Sequence, residues 1–239
     1  MTTKTSYDPI CSAVLLTGLH ALTAAHCIDD DSPFDRRIIA GDLYPALSNE
    51  GKTPRCREER CVVNFQKHPL ASSKCCDLAV VKLNKPITPS KNIGFVPIAT
   101  DQLKERTLVI TLGFGRNEKN DNESSRKLRF GIFPVTRKNC SDNGGTSYSI
   151  RKNSIGQYPV YEDVGGPLIN IEPPYRCYGI CAGGEGDLNT YVDTAQSRRW
   201  ILNSVLVLVD PMNASSAEGE SQLQGTVPVA CLLIYAYLW

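Results

Sequence analysis

Three short segments hold the side chains best suited to chemistry. His26 lies in Thr23-Ala24-Ala25-His26-Cys27, Asp77 opens the apolar run Asp77-Leu78-Ala79-Val80-Val81-Lys82-Leu83, and Glu162-Asp163-Val164-Gly165-Gly166-Pro167-Leu168 follows far downstream. Imidazole and carboxylate are the groups that exchange protons most readily near neutral pH. Taken singly, each segment has an ordinary reading. His26 is then a packed residue on a turn, Asp77 a carboxylate at a strand edge, and Gly165-Gly166-Pro167 a turn.

A metal centre is the other chemistry these residue types allow. Cys56, Cys61, Cys75, Cys76 and His68 are close in sequence, but the adjacent Cys75 and Cys76 point to opposite faces of an extended chain and converge poorly on one ion. Disulfides are the better expectation, with three pairings open within those four cysteines. No metal or other cofactor is expected. Ten cysteines in 239 residues also favour an oxidising compartment. Three acceptor sequons agree with this, at Asn122, Asn139 and Asn213. Residues 1–10 lack the apolar core of a signal peptide, so the expectation is an extracellular or cell-surface protein whose true start lies upstream. A net charge of +1 provides no field to attract nucleic acid or an acidic membrane.

The elements that must position these residues are mostly strands. Ala13 to Leu16, a break at Thr17-Gly18, and Ala21 to Thr23 predict a hairpin, with His26 just beyond its second strand. Strands are expected at Arg37–Ala40, Cys61–Phe65, Phe95–Ile98, Leu108–Gly115, Leu128–Val135, Pro167–Ile169 and Tyr178–Ala182. The run from Asp77 to Leu83 reads as a strand buried on both faces after its first residue. A turn is expected at Asn143-Gly144-Gly145 and a closing helix near Thr194 to Asn203.

In this order, Thr-Ala-Ala-His-Cys, Asp-Leu-Ala-Val-Val-Lys-Leu and Asp-Val-Gly-Gly-Pro-Leu resemble the three landmarks of the trypsin-like serine proteases. The resemblance runs from about Cys11 to Asn203, with Trp200-Ile201 at the place of the family's docked Trp-Ile pair. It implies an all-β fold of two six-stranded antiparallel barrels with a C-terminal helix. It also implies a Cys11–Cys27 bridge, and the expectation that the first barrel is truncated, since only residues 1–10 precede Cys11. By the same resemblance His26 is the base and Asp77 the carboxylate that orients it.

The departures cluster in the third motif. Val164 stands where the family carries its serine, and an isopropyl group can neither attack a carbonyl nor give up a proton. Removing such a nucleophile costs about 10⁶ in turnover. Glu162 replaces the oxyanion glycine, placing a carboxylate where negative charge would develop. Asp163 matches the aspartate that pairs with the family's newly cut N-terminal amine, which this chain is not expected to supply. Tyr158 falls at the specificity position, no cysteine stands at Val160, and Ala182-Gly183-Gly184 replaces Ser-Trp-Gly in the peptide-binding strand.

The domain reading follows. Residues 1–10 are a non-homologous or truncated start, 11–204 the peptidase-like domain with barrels at about 11–105 and 106–204, 205–225 a polar linker, and 226–239 an uncharged tail. Small residues at 215–217, a polar spacer and fourteen uncharged residues fit a glycolipid-anchor signal, and a strand packed on the domain is the plainer alternative. The expectation is an inactive protease homologue that binds a protein partner or peptide segment. An active serine endopeptidase and a surface-anchored structural module are the alternatives.

Overall fold

A computed structural model describes residues 10–28, 36–41, 57–113, 128–140, 145–152, 163–209 and 235–238, the last by backbone alone. Strands are the main regular structure among the described residues. β1 (Cys11–Leu15) and β2 (His20–Thr23) form the expected hairpin, whose turn is tied by Thr17 Oγ1 accepting the N–H groups of Leu19 and His20 at 3.2 and 3.1 Å. A 3₁₀ turn, Ala25–Cys27, carries His26. There follow β3 (Arg37–Ala40), β4 (Glu58–Lys67), β5 (Ala79–Leu83), β6 (Leu108–Gly113), β7 (Arg129–Pro134), β8 (Thr136–Asn139), β9 (Thr146–Arg151), β10 (Pro167–Asn170), β11 (Cys177–Glu185) and β12 (Leu188–Asp193). Helix α1 spans Arg198–Val207, and β13 (Tyr235–Leu238) comes last.

The first barrel is closed in the order β1-β13-β3-β4-β5-β2. The sixth place, which the sequence was not expected to fill from its N-terminal side, is taken by a strand from the tail, antiparallel to both neighbours. Of the two readings of the tail, the strand packed on the domain describes residues 235–238. The second sheet runs β7-β6-β10-β11-β12-β9-β8. Only Val135 separates β7 from β8, so these two are one bent strand, and the expected six strand positions are filled as a curled antiparallel sheet.

Alternation along the strands builds three layers of core. Ala13 and Leu15 of β1 and Ala79, Val81 and Leu83 of β5 line the first barrel, while Val14 and Val80 on the opposite face meet Ile110, Ile169 and Ile180 of the second. β5 is thus buried on both faces. Val109, Phe133, Tyr148 and Tyr191 fill the second barrel.

Three local expectations need correction. Phe95 to Ile98 forms no strand, because its hydrogen bonds divide between barrels: Val96 N–H donates to Leu15 O at 3.1 Å and Pro97 O accepts from Cys177 N–H at 2.9 Å. The helix starts four residues later than expected and ends at Val207, beyond the expected boundary at 204. Asp193 Oδ1 accepts the N–H groups of Ala195 and Gln196, which holds this segment in turns first. Cys75 bridges to Cys140, with Cα atoms 6.2 Å apart, rather than pairing within its own cysteine cluster. That bond joins the loop before β5 to the end of β8, and it withholds Cys75 from any metal. Cys11–Cys27 forms as expected. Cys56 and the turn residues 143–144 lie outside the described residues.

Candidate functional site

The 3₁₀ turn after β2 and the residues before β5 bring His26 and Asp77 together. His26 Nδ1–H donates to Asp77 Oδ2 at 2.5 Å, and the His26 backbone N–H donates to Oδ1 at 3.0 Å. Both carboxylate oxygens are thereby committed to one residue, which fixes ring orientation and leaves Nε2 as the acceptor. The Asp77 side chain is 10% exposed and that of His26 48%, so the pair has a buried end and an open one. The hydrogen bond to Asp77 raises the His26 pKa above 6.5, against the opposing effect of partial burial.

The sign of the linkage follows. The stability from this contact is fully present below pH 6.5 and is lost as pH rises through the raised folded value. Asp77→Ala removes both effects that raise the pKa and leaves those that lower it. The His26 midpoint, followed by NMR of its ring protons, should therefore fall below that of the parent protein. An unchanged midpoint would mean that Asp77 is not its cause. His20 behaves oppositely: buried in β2, it is lowered to about 4 by desolvation, so its contribution is lost as pH falls from 6.5 toward 4.

The turn 163–166 shares a core cluster with the residues flanking His26. Gly166 N–H donates to Asp163 O at 2.9 Å, Gly165 N–H to Cys181 O at 2.8 Å, and Ser12 N–H to Val164 O at 2.7 Å. The turn is thus tied to both barrels. Val164 is 2% exposed and packs in the first-barrel core with Ala24, Ala25 and Cys27, beside the turn that bears His26. A Cβ on Gly183 would lie 3.7 Å from Val164 Cγ2. The side chain at 164 is therefore hydrocarbon packed in hydrocarbon, and the nearby Cys181 is not a ready nucleophile. Its buried thiol is pushed up to about 12 by desolvation, assisted by the charges of Asp163 and Asp77.

Asp163 is 6% exposed and lies against Gly113, where any side chain would begin 1.9 Å from Asp163 Oδ1. Ala182, Gly183 and Gly184 sit where the register between β11 and β12 shifts. Tyr158, Val160 and Glu162 lie outside the described residues, as do Asn122 and Asn213. Asn139 ends the exposed strand β8. A cavity of about 420 Å³ lies apart from the His26 pair, between the 68–76 loop and α1, with His68, Arg199, Trp200 and Asn203 in its walls.

The family model described as Trypsin matches residues 1–201. The chain belongs to the trypsin family. Among relatives of this trypsin-family chain, clotting factor C of Tachypleus tridentatus is 24% identical over 226 residues, covering 87% of this chain and 20% of that protein. The chain therefore spans about a fifth of the length of that relative. Trypsin delta of Drosophila erecta is 24% identical over 208 residues, covering 81% and 78% of the two chains. Seminase of Drosophila melanogaster is 29% identical over 167 residues, covering 67% and 58%. A solved mutant of human heparin binding protein superposes with a TM-score of 0.70 at 17% identity, over 84% of this chain and 88% of that one. That likeness establishes the fold.

Two features of this trypsin-family domain escaped the sequence reading. Asp193 is a buried hub, bonded to Thr146 Oγ1, Tyr148 OH and Gln102 Nε2. Nothing local marks it among the acidic residues. β13 was visible as an apolar stretch, but its partners could not be read from it.

Proposed function

We propose that this trypsin-family domain binds a protein or peptide segment without cleaving it. The observation that carries the reading is Val164, buried against Gly183 and the His26 turn, at the residue that the sequence resemblance matches to the family's serine. His26 and Asp77 can still shuttle a proton, yet Val164 holds none to shuttle. Glu162 in the oxyanion position adds to the argument from sequence. Clotting factors, trypsins and a venom protease among the relatives support an extracellular setting, where Asn139, exposed at the end of β8, is the first candidate for glycosylation. Because Tyr235–Leu238 pairs within a barrel, we take this stretch as part of the folded domain.

The intact His26–Asp77 pair is the one observation favouring an endopeptidase with an unrecognised nucleophile. A serine-directed fluorophosphonate probe separates the readings. The folded protein should remain unlabelled under conditions that label trypsin to completion. Stoichiometric labelling at a single serine would overturn the proposal and establish the protease.

A further inference from the structure

The first barrel is completed by a strand from the far end of the chain. β13 pairs with β1 through Cys11↔Leu238, Ser12↔Tyr237, Ala13↔Ala236 and Val14↔Tyr235, and with β3 through Ala236↔Ala40, Tyr237↔Ile39 and Leu238↔Ile38. Position 236 thus completes a row of three alanines, Ala13, Ala236 and Ala40, across the sheet. The strands on either side are core strands: Ser12, Ala13 and Val14 are fully buried, and Ile38, Ile39 and Ala40 are at most 2% exposed. Without a strand between them, β1 and β3 would present two facing backbone edges in an apolar setting, a geometry that accepts an extended peptide by strand addition.

β1 also touches the Val164 turn. Ser12 N–H donates to Val164 O at 2.7 Å, and Ser12 O accepts from Thr23 Oγ1 at 2.7 Å. Gly165 lies so near Ser12 O that a Cβ there would be 2.0 Å away. Successive residues of an antiparallel strand present their backbone groups to opposite edges. Ser12 therefore addresses the turn, while its neighbours Cys11 and Ala13 address the tail strand.

We propose that the gap between β1 and β3 is a strand-binding site whose resident ligand is the chain's own Tyr235–Leu238, and that docking of this strand holds the Val164–Gly165 turn in place. The inference does not depend on whether the domain cleaves peptides. The occupant is the same chain and not a second copy because 25 residues, 210–234, join Val209 to Tyr235. Twenty-five residues reach at most about 80–90 Å, ample for the chain's own end to return to its barrel. Covalent attachment makes the docking intramolecular, so dilution does not weaken it as it weakens binding of a second molecule.

The test uses the full-length chain carrying Ala40→Cys and Ala236→Cys. Residues directly opposite in an antiparallel pair have Cα atoms about 4.5–5.5 Å apart, within disulfide range. Mild oxidation should give a 40–236 disulfide in the monomer, identified by peptide mapping. A 40–236 link found only between two chains would overturn the resident occupant, and no such link would overturn the site. Coupling to the turn is read by hydrogen exchange. Ala236→Pro in the full chain removes one donor and should speed exchange of the Ser12 and Gly165 amides at least tenfold, with protection restored by adding a synthetic peptide of residues 230–239. If that variant does not fold, the full chain carrying a protease site inserted within residues 210–234 serves, compared before cleavage and after cleavage with removal of the tail peptide. Exchange at Ser12 and Gly165 that is the same with the strand linked and released would refute the coupling.

Discussion

Gly165→Ala should destabilise the protein by at least about 4 kcal/mol, enough to lower its melting temperature by roughly 10 °C or to prevent folding. Two effects combine. Gly165 has φ of +84°, a conformation that costs an L-residue about 1–2 kcal/mol. The new methyl would also meet Ser12 O at 2.0 Å and Thr23 Oγ1 at 2.4 Å, and the first of these is backbone fixed in a barrel strand. Gly186 provides the internal comparison. Its φ is +58° and nothing lies within 4 Å of an added Cβ, so Gly186→Ala should cost only the backbone term. Denaturant melts of the two variants measure the difference. Equal destabilisation would remove the close contact between β1 and the Val164 turn.

Asp193→Ala should cost about 3–5 kcal/mol, since it leaves several buried donors without an acceptor at once. Asp193 is 1% exposed. Its Oδ2 accepts from Thr146 Oγ1 at 2.6 Å, Gln102 Nε2 at 2.7 Å and Tyr148 OH at 3.1 Å. Its Oδ1 accepts from the N–H groups of Ala195 and Gln196 at 2.9 and 3.2 Å. One side chain thus joins β9, β12 and the turn leading into α1. Burial and the Asp193 charge raise the Tyr148 pKa, so the phenol remains a donor throughout the accessible pH range. Substitution should lower the melting temperature by roughly 10 °C, and a shift below about 2 °C would show that the hub is not structural.

The constraints that keep the Val164 turn's shape fall on a few of its residues. Gly165 is needed because Ser12 lies against it, and Gly113 because Asp163 does. Val164 has no such constraint. Its side chain points into hydrocarbon, where an isopropyl group contributes burial that a hydroxyl would not. The residue at 164 therefore serves packing.

Where the sequence could be read, the signals were local and periodic. Cys11 to Cys27 has apolar runs, a polar break and two cysteines at one spacing, and it folds as the hairpin, turn and bridge that these features imply. Asp77 to Leu83 reads as a buried strand because almost every residue in it is apolar, and the structure buries it between two cores. The polar strand β9, Thr-Ser-Tyr-Ser-Ile-Arg, has no such signal. It is a core strand because Asp193 satisfies Thr146 and Tyr148 from 47 and 45 residues away.

The sequence alone determined the family, the His26–Asp77 pairing partners and the absence of a hydroxyl at residue 164, since each is a matter of residue type at a recognisable spacing. Only the tertiary structure decided that Cys75 bonds Cys140, that Asp193 anchors the second barrel, and that Tyr235–Leu238 closes the first. Those three depend on which backbone edges and side chains meet across long stretches of chain. A short apolar strand, one cysteine among ten or a lone aspartate carries no record of its distant partner, because the selection is made by packing and hydrogen-bond satisfaction in the folded molecule.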